Sequence, residues 1–210
     1  MKLLTALVLL QLSSFAIADA AADVQHLQKR WAEIKYQLPE KDQKKAFEQL
    51  IQEAEAANQA NPDSAEVLTW LGIVHATYAG VRGGLGALGE AKKAKQDFEQ
   101  VIQTDPDVLD GSAYTSLGSL YYQVPAWPVG FGSSKKAKEY LLKGLEINPN
   151  GIDSNFFYGD YLMSRGEDET ALNRFEKALL ASPRPGRQLA DEGRKQEIQA
   201  AILKIKQKDR

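Results

Sequence analysis

A pattern of small, large apolar and proline residues recurs along the chain and constrains its fold more than any other feature. In residues 150–183, Gly159 and Ala171 are followed by Phe175 and then by Pro183. The corresponding residues of two earlier segments are Gly72, Ala94, Phe98 and Pro106, and Gly118, Ala137, Leu141 and Pro149. Small residues let two helices approach closely, a large apolar residue fills the space between them, and proline ends a helix. The sequence therefore predicts consecutive pairs of antiparallel helices.

The spacing of these residues resembles that of the tetratricopeptide repeat superfamily, in which each repeat of about 34 residues is a helix pair. The resemblance covers about residues 42–183. It implies an all-α, right-handed solenoid whose concave groove, lined by the first helix of each pair, binds proteins or peptides. A narrower resemblance, carried by "WPVGFG" and "SPRPGRQLADEGRKQEI", is to small exported proteins that are similar to the T-component lipoproteins of TRAP transporters. The chain differs from those lipoproteins because it has no cysteine to carry a lipid.

We predict one tetratricopeptide-like domain over residues 19–210. Its predicted parts are a degenerate half-repeat at 42–62, three repeats at 63–106, 107–149 and 150–183, and a C-terminal capping helix at 188–207. Residues 23–38 have apolar side chains at helical spacing and are predicted to cap the other end of the stack. The first two repeats hold extra residues between their two helices, and we predict inserted loops there, at 83–89 and 124–132.

The first residues have the organisation of a secretory signal peptide. Lys2 precedes an apolar run at 3–12, and small residues follow it. We predict that residues 1–18 are removed, with cleavage after Ala20 as the alternative and an uncleaved anchor as a further one. The mature protein is then expected to be periplasmic or secreted, with no stable membrane insertion.

Composition and short motifs argue against several classes of function. The chain has 26 Lys and Arg against 28 Asp and Glu, a formal net charge of −2. It therefore lacks the excess of basic residues that is typical of nucleic-acid-binding domains. The absence of cysteine excludes disulfides and cysteine-based metal sites or nucleophiles. His26 and His75 are far apart, and there is no HExxH, nucleophile elbow or phosphate-binding loop. We therefore predict a protein that is not an enzyme, with no catalytic residues, metal site or cofactor.

The resemblance also implies which residues face the concave groove. The expected partner-binding residues are Thr69, Ile73, Thr115, Ser119, Tyr122, Phe156, Asp160 and Met163. This mixture of hydroxyl, acidic and large apolar side chains suits an extended peptide or a helix, whose backbone needs partners and whose side chains need pockets. The alternative for each residue is ordinary packing or a solvated position.

Two large aromatic residues, Trp127 and Phe131, stand in the second predicted loop. The first interpretation is that both are buried against the helix pair that carries the loop. In the second, both loops form a rim over the groove, with Arg82 paired to Asp160 or another groove acid. Such a rim would close a pocket for a small apolar ligand. An ordinary surface position is the alternative for Arg82.

Charges of both signs are close together near the C-terminus, where Arg184, Arg187 and Arg194 flank Asp191 and Glu192. Mixed-sign charge is typical of a helix surface. We interpret this group as a solvated or capping arrangement, with an anion site as the alternative.

These observations favour an exported binding protein. The first hypothesis is a periplasmic scaffold or adaptor whose groove binds a protein or peptide partner. The alternative is a carrier of a small hydrophobic ligand, or a transporter accessory protein, whose pocket the glycine and aromatic loops close. Neither hypothesis involves nucleic acid.

Overall fold

The computed structural model describes residues 2–208, with the side chains of residues 20–84 and 86–208. Its helices are α1 Lys2–Gln37, α2 Glu40–Ala60, α3 Ala65–Arg82, α4 Gly84–Thr104, α5 Val108–Gln123, α6 Ser134–Ile147, α7 Ile152–Ser164, α8 Asp168–Leu179 and α9 Gln188–Lys208. The predicted signal peptide, residues 1–18, lies outside the residues whose side chains are described. Within the described part of the chain, no helix combines the length and the apolar character needed to cross a bilayer.

Consecutive helices pack as pairs, and the pairs stack. Helices α3 and α4, α5 and α6, and α7 and α8 contact each other along their lengths. The first helices of successive pairs also touch, because α3 contacts α5, α5 contacts α7, and α7 contacts α9. The predicted all-α solenoid of helix pairs is therefore confirmed.

The glycine of each predicted repeat allows the two helices of a pair to approach closely. A Cβ atom added at Gly118 would lie 2.7 Å from Cγ and 2.9 Å from the backbone nitrogen of Leu141. At Gly72 the nearest atom would be in the ring of Phe98, at 2.7 Å, and at Gly159 it would be in the ring of Phe175, at 2.8 Å. The large apolar residue of the second helix thus packs directly on the backbone of the first.

The prediction of an inserted loop at residues 83–89 is wrong. Helix α3 ends at Arg82, Gly83 has φ +60°, and α4 begins at Gly84. The extra residues of this repeat lengthen its helices, since α3 has 18 residues and α4 has 21, against 13 in α7 and 12 in α8. Packing outweighs the cost of about 1 kcal/mol per helical glycine, because Gly86 lies against the side chain of Arg82 and Ala87 packs against the core.

The second insertion, residues 124–132, is a loop between α5 and α6. The backbone of Gly132 donates to the carbonyl of Pro125 at 2.9 Å, which closes the base of the loop. Phe131 packs edge-to-face on Tyr121, with ring centroids 5.6 Å apart. Trp127, at the tip, is 86% exposed. The expected burial therefore holds in part for Phe131 and is wrong for Trp127, because the closed base directs the tip away from the helix pair.

The two ends of the stack meet. Helix α1 contacts α2, α3 and α9, while α9 also contacts α7 and α8. The ammonium of Lys35 lies 3.4 Å from the carboxylate of Glu197, and Gly193 packs against the ring of Tyr36. The terminal helices were expected to cap opposite ends of an open stack. Their contact instead encloses the concave side.

Candidate functional site: a cavity enclosed by the first helices

The concave side of the stack forms a cavity of about 1500 Å³ that is partly open to solvent. Its wall is formed by α1, the start of α2, the first helices α3, α5 and α7, and helix α9. The segment between α8 and α9, residues 180–187 (the C-terminal linker), completes the wall. The cavity exists because α1 and α9 meet and so close the space that the first helices surround.

Some of the predicted groove residues line this cavity together. They are Ile73 on α3, Thr115 and Ser119 on α5, and Phe156 and Asp160 on α7. They come from three successive first helices, whose alignment across the stack brings them to one surface. Whether they bind a partner stays a prediction.

Three predicted groove residues lie outside the lining. Thr69 is fully buried, and its hydroxyl donates to the carbonyl of Ala65 at 2.7 Å. Met163 packs against the core. The hydroxyl of Tyr122 donates to Asp160 at 2.6 Å and so positions this carboxylate. Their predicted placement on the cavity wall is wrong, because Thr69 is buried, Met163 packs against the core and Tyr122 turns toward Asp160 on α7.

The proposed rim does not form at the cavity. Arg82, Trp127 and Phe131 are not part of the lining in the described residues. Arg82 lies 3.4 Å from Glu90 on α4, so the pairing with Asp160 is wrong. The glycine stretch that was to carry the rim is helical and forms the start of α4, the second helix of its pair. The C-terminal linker borders the cavity instead.

The charged cluster near the C-terminus is partly buried and paired internally, which the sequence interpretation missed. The guanidinium of Arg184 lies 2.7 Å from Asp153 and 2.6 Å from Asp191, and that of Arg194 lies 2.8 Å from Asp153. Burial opposes ionisation of Asp153, yet Arg194 and Arg184 hold its pKa well below the usual range. Asp191 and Arg194 are 6% and 8% exposed, so the interpretation as a solvated surface is wrong for both.

Arg187 differs from its two neighbours. Its guanidinium lies over the ring of Trp70, 4.9 Å from the centroid, and its Nε atom is buried without a hydrogen-bond partner. Burial, followed by repulsion from Arg184, lowers the pKa of Arg187 to about 10. The indole nitrogen of Trp70 is likewise buried without a partner. The sequence gives no sign of this contact, because the two residues come from opposite ends of the stack.

The histidines lie elsewhere. His75 is buried, with its Nδ1 atom 2.9 Å from Glu90, and burial lowers its pKa. His26 pairs with Glu53 at 2.7 Å near the surface. Neither histidine belongs to the cavity wall. Within the described range, no group of three or more histidine, cysteine or acidic side chains is placed to hold a metal ion.

Comparison with known proteins supports the fold. No protein-family profile matches the chain, and no curated protein matches it. Several solved structures, however, are similar to this chain. TTC0263, a tetratricopeptide repeat protein of Thermus thermophilus, is 21% identical, with a TM-score of 0.54 over 76% of this chain and 81% of that one.

Two other similar structures align less closely. MamA is 21% identical over 80% of this chain and 92% of that chain, with a TM-score of 0.45. PilF of Pseudomonas aeruginosa is 17% identical over 91% and 92%, with a TM-score of 0.38. TM-scores this low do not support an argument about the fold. The similarity to TTC0263, together with the stacked helix pairs, shows that this chain has the tetratricopeptide repeat fold.

Proposed function

We propose that this protein is a non-catalytic scaffold or adaptor that holds a segment of a protein partner in the cavity on its concave side. The observation that carries the proposal is the size of the cavity, about 1500 Å³. Pockets for small molecules usually span about 300–1,000 Å³. The larger volume favours a polypeptide segment over a compact ligand.

The chemistry of the wall agrees with such an occupant. Ile73 and Phe157 are partly exposed apolar side chains that offer contacts to the side chains of a bound segment. Ser112 and Ser116 on α5 and Asn150 before α7 carry hydroxyl and amide groups that can pair with its backbone. A bound segment needs both, because each backbone group removed from water requires a partner.

The proposed place of action is the periplasm or the outside of the cell, on the strength of the N-terminal sequence alone. The alternative of a carrier whose pocket the glycine and aromatic loops close is not proposed. Neither Trp127 nor Phe131 belongs to the cavity wall, and residues 84–89 are helical.

A site-specific photo-cross-linking experiment in cells tests the proposal. A photoreactive phenylalanine analogue is placed at Ser116, which lines the cavity and is partly exposed. The control position is Gln100, an exposed residue of α4 outside the cavity. We expect a protein adduct from position 116 that is absent from position 100. We expect the adduct to weaken or disappear when Ala76→Arg, on the neighbouring helix α3, places a long charged side chain in the cavity. No adduct at 116, or the same adduct from both positions, would refute the proposal.

A further inference from the structure

Arg187 is a cation on the cavity wall that the protein itself leaves without a counterion. Within the described residues its guanidinium makes no ion pair, and it stacks instead on the ring of Trp70, 4.9 Å from the centroid. Both residues belong to the wall of the cavity. Trp31, which also lines the cavity, packs edge-to-face on Trp70 at 6.1 Å. Arg187 is therefore set between aromatic rings and the open space.

The carboxylates near Arg187 already form ion pairs with other cations. Their partners are Arg184 and Arg194 for Asp153, Arg184 for Asp191, Arg194 and Lys35 for Glu197, and Arg30 for Glu33. Two of these carboxylates, Asp153 and Asp191, act on Arg187 from a distance, but burial and Arg184 outweigh them, and the pKa of Arg187 falls to about 10. One positive charge in this group is thus left over.

An unpaired, desolvated cation is unfavourable for a protein that has nothing to place against it. The buried indole N–H of Trp70 adds a second donor without an acceptor, directly under the first. Features that lower stability in this way are kept at binding sites, where a ligand compensates for them. A carboxylate would supply the missing charge, and a guanidinium can hold it through two parallel hydrogen bonds.

We infer that Arg187 and Trp70 form a subsite for a carboxylate attached to an apolar group, namely an acidic side chain of the segment that occupies the cavity. This inference rests on the proposed function and assigns the chemistry of one group of the occupant. A single negative charge fits better than a phosphate dianion, since Arg187 is the one cation of this charged cluster that has no carboxylate partner among the described side chains. Ile73, one helical turn after Trp70 on α3, lines the cavity and is partly exposed, so it provides apolar surface for the attached group.

The first test compares the stability of the ligand-free full chain in two matched variants. Arg187→Met keeps a long side chain over Trp70 and removes the charge, so its melting temperature should equal or exceed that of the wild type. Arg184→Met removes a guanidinium with two carboxylate partners and should lower the melting temperature by several degrees. Equal losses in both variants would show that Arg187 is structural and would overturn the inference.

The second test follows the indole N–H resonance of Trp70 by NMR in titrations of the full chain. The free organic acid probe is hexanoate, with neutral hexanamide as its control. The peptide probe is acetyl-leucyl-glutamyl-leucine amide, with the same peptide carrying glutamine as its control. We expect each carboxylate to bind roughly tenfold more tightly than its neutral control, as for a hydrogen bond to a charged group. Arg187→Met should remove the difference.

The outcomes separate the two sources of the carboxylate. A response to the glutamate peptide supports the inference in full. A response to hexanoate alone overturns the assignment to a protein segment, although a carboxylate subsite would still be present. No preference for either acid, or the same preference in Arg187→Met, overturns the subsite. The cross-linking experiment at Ser116 uses no carboxylate probe, so its failure would count against a protein segment as the occupant and leave the carboxylate subsite itself to the two tests above.

Discussion

The substitution Gly118→Ala measures how tightly a helix pair is closed. Gly118 is buried on α5, and the missing methyl group would lie 2.9 Å from the backbone nitrogen of Leu141 on α6. Real Cβ atoms do not approach other atoms this closely. A rotation of the Leu141 side chain relieves only part of the overlap, because one of the atoms belongs to the backbone. Helix α6 must therefore move away from α5.

Two opposing effects set the size of the change. Alanine is better than glycine inside a helix by about 1 kcal/mol. Adding a methyl group to a well-packed core costs about 1–3 kcal/mol, and a backbone contact places Gly118→Ala in the upper part of that range. The expected net loss in the free energy of unfolding is about 1–2 kcal/mol. For a chain of this size, it corresponds to a fall of about 2–8 °C in the melting temperature.

Thermal and urea unfolding, followed by far-UV circular dichroism, provide the assay. Gly80→Ala is the matched control, because Gly80 lies inside α3 and an added Cβ there meets no atom within 4 Å. It should raise the stability by about 0.5–1 kcal/mol through helix propensity alone. If Gly118→Ala raised the melting temperature as Gly80→Ala does, the close approach of α5 and α6 would be refuted.

Three further predictions concern the titration of one acid, the exposed loop and the buried ion pairs. Burial raises the pKa of Asp97 to about 7, so the folded protein keeps a proton that the unfolded chain releases near pH 4, and stability should fall as the pH rises from about 4 to about 7. In urea unfolding at about pH 8, Asp97→Asn should be more stable than the wild type by up to about 4 kcal/mol, and an equal gain at about pH 4 would contradict this reasoning. Trp127→Ser should leave the melting temperature unchanged because Trp127 is 86% exposed, whereas Phe131→Ala should cost about 2 kcal/mol; calorimetry showing the opposite order would contradict the loop structure. Asp153→Asn should lower the stability by about 2 kcal/mol in urea unfolding, less than for a fully buried pair because Asp153 is 33% exposed, and an unchanged midpoint would show that its arginines find other partners.

The helix pairs follow from the sequence because the features that make them are local. Gly118 and Leu141, or Gly159 and Phe175, are close in the chain, and their spacing repeats. The resemblance to the tetratricopeptide repeat placed Ile73, Ser119 and Phe156 on one surface, and the structure brings them together there because successive first helices stack in register. Local composition misled where packing decided the outcome. Glycines normally indicate a loop, yet residues 84–89 are helical because they lie against a neighbouring helix and the core.

Only the tertiary structure decided that the stack closes. Helices α1 and α9 come into contact because small rotations between successive helix pairs add up along the stack. No single segment of the sequence determines their total. Closure in turn decided the chemistry of the cavity. It brought Arg187 over Trp70, and it paired the nearby carboxylates with Arg184 and Arg194. In sequence these arginines look alike. Their burial and their partners, which depend on residues far away along the chain, make one of them different.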